Sequence, residues 1–539
     1  MSETNGREDP RLCHLDTLRP EAITTERVGA KAANLMRMAA AGLPVPPGFV
    51  LGTEVCASLG TDGHLGDDVV GLVERGLARL EALTGTRFGA ARRPLLVSVR
   101  SGAAASMPGM LETLLDVGLC DATVPGLLRA TGDPAFVWDS YRRLVTAYGE
   151  VVEGCPASVF AEVEQEHLDR HGVETVAELD ARALRALVGL LKRVYLEAAG
   201  RPFPEDPRQQ LLGAVEAVEG SWQHERAVEY RRLEGLEDLA GTAVTVQKMV
   251  FGNLGVDSGA GVGFTRDPAT GKRGLYVDFL LDAQGEDVVA GRQVAGEAEE
   301  SIAAIEGLGG QLRRVGRVLE SLFRDVQDFE FTVEQGRLWL LQTRAAKRTP
   351  WAALVIACDL VDEGLIDEGA ALDRLAGYDL ETLSRSRLAQ EGETAVAHAI
   401  PASAGVATGP VALDLDAARR FSQKGESAVL VRRQASTDDL AALEVCRGLL
   451  TATGARTSHA AVVARQLGVV CAVGCVELSF DDGARALDLG GHKVHEGEVV
   501  TLDGGSGEVY LGAVPVVEER PVELLERVRR WGHARARAG

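Results

Sequence analysis

The segment Thr453-Gly454-Ala455-Arg456-Thr457-Ser458-His459 constrains this chain more than any other, because of the residues it leads into. Directly after the histidine comes an apolar run of helical period, Ala460-Ala461-Val462-Val463-Ala464-Arg465. A glycine, small polar residues, an imidazole and then a helix read as a strand that ends in a tight turn and delivers His459 to a helix start. Thr457 or Ser458 would cap that helix. The N–H groups of its first turn have no partner within the helix and would point outward beside the ring. Such donors, with the helix dipole, stabilise anions. The segment therefore suits an imidazole that accepts a phosphoryl group and holds it. A histidine that merely caps a helix is the bland alternative, and the rest of the chain has to decide.

A length of 539 residues leads us to expect three or four domains, at roughly 150 residues each. With 46% hydrophobic and 25% charged residues, a large core is possible. The net charge is −22 and no long basic run occurs, which argues against nucleic acid or an anionic membrane surface as main partner. An acidic chain that binds polyphosphate must concentrate its cations locally, so Lys and Arg in glycine-rich settings are informative. No apolar run approaches the roughly 18 residues of a membrane span, and the polar start MSETNGREDPRL is not signal-like; a cytoplasmic location is expected. Eight cysteines are scattered without ligand or disulfide spacing. Cys471 and Cys475, the one close pair, sit in an apolar stretch that suggests core packing, so no structural metal is assigned.

Along the chain, Val28-Gly29-Ala30-Lys31 leads into an apolar-periodic helix over 32–41, closed by Gly42 and Pro44. A strand over 95–99 delivers Arg100 to the small-residue loop 101–110. Strand signals return at 243–251, 261–265, 276–281, 329–333 and 338–342. These patterns predict a nucleotide-binding α+β domain over 1–350, with a helical subdomain at about 125–235. A helical connector is expected over 351–398, a compact strand–helix domain carrying His459 over 399–516, and a basic helical tail over 517–539. The swivel that would let His459 move is expected at 351–395 and at the turn Ala402-Ser403-Ala404-Gly405.

No P-loop pattern is present, so phosphate binding must come from elsewhere. Lys31 follows a glycine at a helix entrance, and Arg100 ends a strand before a small-residue loop. Gly252, Gly255, Gly259, Gly261 and Gly263 precede Phe264-Thr265-Arg266-Asp267; small residues there would let backbone amides approach phosphate oxygens. Asp328 and Glu330 are two apart on a strand and so face one side. With Gln342 on the next strand, past the turn at Gln335-Gly336, they suit a Mg²⁺ ion bridging phosphates. The plainer reading of these carboxylates is a solvated strand edge, and of Lys31 and Arg100 surface ion pairs.

Seven runs decide the matter: VGAKAANL, VSVRSGAAASMPGMLETLLDVGL, DSYRRL, AVTVQKMVFGNLGVDSGAGVGFTRDPATGK, DAQGEDVVAG, DFEFTVEQGRLWLLQTRAAKRT and TGARTSHAAVVARQLGVVCAVGC. In this order, over about residues 20–530, they resemble the pyruvate, phosphate dikinase family of phosphoenolpyruvate-utilising enzymes. The resemblance implies a multidomain α+β and α/β fold: an ATP-grasp nucleotide domain followed by a swivelling β/β/α phosphohistidine domain. A phosphoenolpyruvate/pyruvate-binding barrel comes next in that family, and the helix around Trp531 resembles the start of the linker to it. Carried over residue by residue, the family pattern gives Lys31 and Arg100 to the ATP phosphates, with the loop 101–110 closing over them. Gln247 falls along the adenine pocket and Glu286 at the ribose or phosphates. Arg266 orients phosphate, Asp328, Glu330 and Gln342 hold Mg²⁺, and Arg344 follows them. His459 is the phosphorylated histidine, flanked by Thr457 and Ser458.

ATP, inorganic phosphate and a small-molecule acceptor, pyruvate first, are the implied partners. A separate barrel protein and a homodimer are compatible with the pattern. Two departures stand out. Arg456 replaces the family's usual Met and adds charge beside His459, with a consequence expected for acceptor choice; Ala345-Ala346 replaces Asn-Gly before Lys347. A standalone phosphotransferase with another acceptor and a non-catalytic nucleotide-binding regulatory module are the two other readings.

Overall fold

The computed structural model describes residues 9–17, 24–58, 64–105, 107, 112–289, 297–389, 394–435, 439–454, 456, 459–481 and 485–538. They form two compact units, Met1–Leu254 with Trp339–Gln342, and Gly255–Leu338 with Thr343–Gly539.

In the first unit an antiparallel sheet runs in the order Leu12–His14, Gly48–Leu51, Ala243–Lys248, Val97–Gly102, Thr113–Val117. Its inward residues, among them Phe49, Leu51, Val97, Val99, Leu114 and Val246, are buried in one core with neighbouring helices. The starts of those helices are set locally. Asp133, Asp180 and Asp206 each accept a backbone N–H of the first turn, and Pro134 and Pro207 fill helix positions that need no donor. The helix Thr25–Ala40 begins earlier than its apolar period suggests and is broken at Gly29, whose φ is 76°. The break lets this helix approach the strand Val97–Gly102 closely: a Cβ on Gly29 would lie 2.0 Å from the Gly102 carbonyl oxygen.

The second unit opens with a four-stranded antiparallel sheet in the order Arg337–Ala345, Gln327–Glu334, Gly259–Arg266, Arg273–Leu281. The first strand is shared, since its middle residues Trp339–Gln342 cluster with the first unit. Its alternation sorts two unlike faces. One face is aromatic: Phe279 stacks on Phe331 at 5.6 Å and Phe331 meets Phe329 at 5.9 Å. Gly259, Gly261 and Gly263 are glycines because those three rings lie on them; a Cβ at each would sit 2.3 to 2.5 Å from a ring carbon. Their expected part in approaching phosphate is therefore corrected: aromatic packing, at about 2–3 kcal/mol per buried ring, accounts for them.

A connector of two helices, Pro350–Asp362 and Glu368–Leu375, packs in one core with the last helix, Val522–Ala538, through Leu525, Val528 and Trp531. The tail is thus part of the connector. Beyond it an eight-stranded sheet holds a parallel centre, Val406–Ala412, Ala428–Arg432, Cys446–Thr451 and Val470–Val473. The turn Ala402-Ser403-Ala404-Gly405 lies between two strands of this sheet, Ile400–Ser403 and Val406–Ala412, each paired to a neighbour. A hinge cannot sit there, because turning it breaks both ladders. The chain instead enters and leaves this lobe along a two-stranded ribbon, Arg385–Leu388 with Val516–Glu519.

Candidate active site

The strand Cys446–Thr451 ends at a turn in which Gly454 has φ 136°, and the helix His459–Leu467 begins at His459. This helix is the crossover to the parallel strand Val470–Val473. His459 therefore stands outside the carboxyl end of a parallel strand, where α/β sheets bind ligands. Its backbone is described and its side chain is not; Thr457 and Ser458 lie outside the described residues.

Behind the histidine, Arg465 is wholly buried. Its Nε donates to the Ala402 carbonyl at 2.9 Å and its Nη2 to the Arg456 carbonyl at 2.7 Å. Arg456 turns away from the lobe that carries it. Its Nε lies 3.0 Å from Asp278 Oδ1, as an ion pair rather than an aligned hydrogen bond, and its guanidinium sits 4.2 Å from the Tyr276 ring centre. Arg456, expected to bear on acceptor choice, is placed by this contact against the four-stranded sheet. Tyr276 donates its hydroxyl to the Pro401 carbonyl at 2.6 Å, and Arg465 stands 5.5 Å from the Phe264 ring centre. Burial pushes the Tyr276 hydroxyl up to about 12 against the pull of Arg456, so it remains a donor at neutral pH.

These contacts land on the second face of the four-stranded sheet. Register places Asp328 opposite Phe264 and Phe264 opposite Tyr276; it places Glu330 opposite Val262 and Val262 opposite Asp278. Residues directly opposite share a face. Both candidate metal carboxylates thus lie on the face that receives the histidine-bearing lobe. Tyr276 and Asp278 were not singled out from the sequence, although polar residues alternating with Val277 and Phe279 were the available signal.

Asp328 is buried, and Arg344 Nε donates to its Oδ2 at 2.8 Å. Burial pushes the Asp328 carboxyl above the usual carboxylate range, with Arg344 pulling the other way. A cation at this oxygen, beside a second carboxylate on the same face, fits the donor set that Mg²⁺ takes when phosphates supply its remaining ligands. Among the described residues no group of three His, Cys, Asp or Glu could hold a metal by itself.

Gln342 clusters with the first unit, as do Lys31, Arg100 and Gln247. There the close approach of Gly29 brings Lys31 to the strand of Arg100: the Lys31 Cβ is 3.9 Å from where a Gly102 Cβ would be. Arg100 Nη1 donates to the Leu341 carbonyl at 3.4 Å. Residues 106 and 108–110 of the expected closing loop lie outside the described residues, while Met107 is buried with Ala103, Trp222 and Ala227. The side chain of Glu286 is likewise undescribed.

Two further expected ligands, Gln247 and Arg266, have protein partners in this structure. Gln247 lies on an interior strand between Gly48 and Ser98, and its side-chain amide donates to the Pro46 carbonyl at 2.8 Å. Both edges of this strand are paired at Gln247. Arg266 is 3% exposed. Its guanidinium is held by Glu320 at 2.8 and 2.9 Å, by Glu363 at 2.7 Å and by Asp359 at 3.4 Å. Three carboxylates occupy it, so it braces helices and leaves no fork for phosphate.

Residues 71–297 match the family model for the pyruvate phosphate dikinase AMP/ATP-binding domain, and residues 424–507 that for the PEP-utilising enzyme mobile domain. The pyruvate, phosphate dikinase of Clostridium symbiosum is 42% identical over 509 residues, which are 94% of this chain and 58% of that protein. This chain is related to the pyruvate, phosphate dikinases. The dikinase of Rhizobium meliloti (strain 1021) is 40% identical over 95% of this chain and 59% of its own length, and pyruvate, phosphate dikinase 2 of Zea mays is 41% identical over 95% and 58%. The chain thus spans less than two thirds of the length of these dikinases. Over that part it is a mixed α/β multidomain protein with an ATP-grasp-like nucleotide domain and a mobile phosphohistidine domain of dikinase type. Among the described residues no helix is long and apolar enough to cross a membrane.

Proposed function

We propose that this chain transfers a phosphoryl group from ATP to His459 and from there to an acceptor, in the manner its dikinase relatives suggest. The observation that carries the reading is the shared sheet face: the lobe bearing His459 rests on the face that presents Asp328 and Glu330. An unprotonated imidazole nitrogen attacks the β-phosphorus of ATP, and the bond to the bridging oxygen toward the α-phosphorus breaks. AMP leaves; an oxygen of inorganic phosphate then attacks the γ-phosphorus, its bond to the β–γ bridging oxygen breaks, and pyrophosphate leaves with one phosphoryl group kept on His459. Such transfers need positioning and charge neutralisation more than covalent help. Lys31, Arg100 and Arg344 neutralise phosphate oxygens, and Glu286 holds the ribose or helps position the phosphates. Asp328 and Glu330, with Gln342, would hold Mg²⁺, which supplies further charge neutralisation when bound. Thr457 and Ser458, which precede His459 in the sequence, are proposed to assist the transfer. The proposed acceptor is pyruvate, giving phosphoenolpyruvate on a barrel outside the residues of this chain.

Incubation with ATP, Mg²⁺ and phosphate should add about 80 Da, one PO₃H unit, as an acid-labile and base-stable adduct. His459→Ala should abolish it. An adduct that persists places the nucleophile elsewhere; no adduct and no AMP sinks the reading. Omitting phosphate separates a dikinase from an enzyme that gives the γ group to water, and adding pyruvate tests the acceptor.

A further inference from the structure

Resting on that reading, we infer that Arg456 is a docking latch: its guanidinium, set between Asp278 and the Tyr276 ring, holds the histidine-bearing lobe on the nucleotide domain's carboxylate face. It is a positioning residue and touches no reacting atom. Three observations carry this. Asp278 is 1% exposed on its sheet, so the arriving cation offsets the cost of burying a carboxylate. Arg456 is fixed from behind, since its own carbonyl is held by the buried Arg465, and the latch therefore moves with the lobe. Among the described residues the neighbouring contacts include a hydroxyl-to-carbonyl bond, Tyr276 to Pro401, and the Arg465–Phe264 approach. Neither pairs two opposite charges. The charged pair is thus the part of the docking that a single substitution removes, and it lies three residues from His459.

The test is a double-mutant cycle in the full chain, using Arg456→Met and Asp278→Asn, which keep approximate volume and remove one charge each. Spin labels on Lys272→Cys and Lys424→Cys, both exposed, in a Cys56→Ser background report the distance between lobes. Each single variant should lower the ratio of docked to undocked molecules by about a hundredfold, the scale of breaking a buried pair. The double variant should be no worse than the poorer single. Unfolding temperatures near wild type show that the sheet itself is intact; should Asp278→Asn fail to fold, Arg456→Met against wild type decides alone. The rate of His459 phosphorylation should fall with the docked fraction, while nucleotide affinity stays unchanged, because neither residue belongs to the proposed nucleotide set. Unaltered distances in Arg456→Met, or strictly additive effects in the cycle, overturn the latch. The distances are read without nucleotide. A docked wild-type chain that never gains phosphate therefore removes the proposed chemistry and leaves the latch standing.

Discussion

The two faces of one four-stranded sheet solve opposite problems. On one, Phe279, Phe329 and Phe331 fill the space over three glycines, with no polar side chain between ring and backbone. On the other, Asp278, Tyr276, Asp328 and Glu330 alternate with Val262 and Phe264 and meet two arginines of the phosphohistidine lobe. The first face loses its dispersion contacts outright if opened, and nothing in water replaces them. The second consists largely of groups that water solvates well, so parting it costs far less. Permanent packing and detachable packing are thus written one residue apart on the same strands.

Gly261→Val attacks the permanent face. Its Cβ would fall 2.4 Å from Phe331 Cζ and 2.7 Å from the Asp278 carbonyl oxygen, which is backbone and cannot yield. A loss of about 4 kcal/mol or more is expected, read as loss of cooperative thermal unfolding. A variant that folds normally would break the contrast. Asp328→Asn strikes the detachable face with the fold retained: adduct formation should slow by about a hundredfold, or ~2.7 kcal/mol, at unchanged melting temperature.

A third variant sharpens the comparison with a buried carboxylate to which no cation donates a hydrogen bond. Asp116 is 1% exposed, its φ is 60°, and neither carboxylate oxygen has a hydrogen-bond partner. Burial pushes its pKa up to about 7. The folded chain therefore keeps a proton that the unfolded chain, near 3.9, has lost. Stability contributed by that proton is complete below about pH 4 and is lost as pH rises to about 7, levelling off above. Asp116→Asn tolerates the left-handed backbone and should remove this slope, raising stability at pH 8 by about 1–3 kcal/mol. An unchanged pH profile would show that the carboxyl is not neutral when folded. Smallest of the four, Tyr276→Phe keeps the ring under Arg456 and deletes the hydroxyl that donates to Pro401. About 1 kcal/mol of docking should go, roughly a fivefold shift in the spin-label populations.

Much of the phosphohistidine lobe was legible because its signals are local. A strand, a glycine turn and an apolar helix succeed one another between Cys446 and Leu467, and period alone separates them. The carboxylate pair on Gln327–Glu334 was legible for the same reason, two residues apart on a strand. The glycines before Phe264 misled because a glycine under an aromatic ring and a glycine under a phosphate leave the same letter. The ion partners of Arg266 were not legible because Glu320, Asp359 and Glu363 lie 54 to 97 residues away, and only the fold gathers them. The interior place of Gln247 was not legible, because a strand motif does not say whether the strand is interior. The turn at 402–405 looked like a hinge since small residues and a glycine mark flexible turns, but also turns that neighbouring strands pin.

The two bonds made by Arg465 have a mechanical consequence. One guanidinium fastens Ala402, where the chain has just come into the lobe, to Arg456, just ahead of the imidazole-bearing helix. The root and the business end are stapled into a single lever. Were the lobe to turn about the ribbon of Arg385–Leu388 and Val516–Glu519, as the proposed transfer requires, this staple would carry the movement to the start of the helix His459–Leu467 without slack.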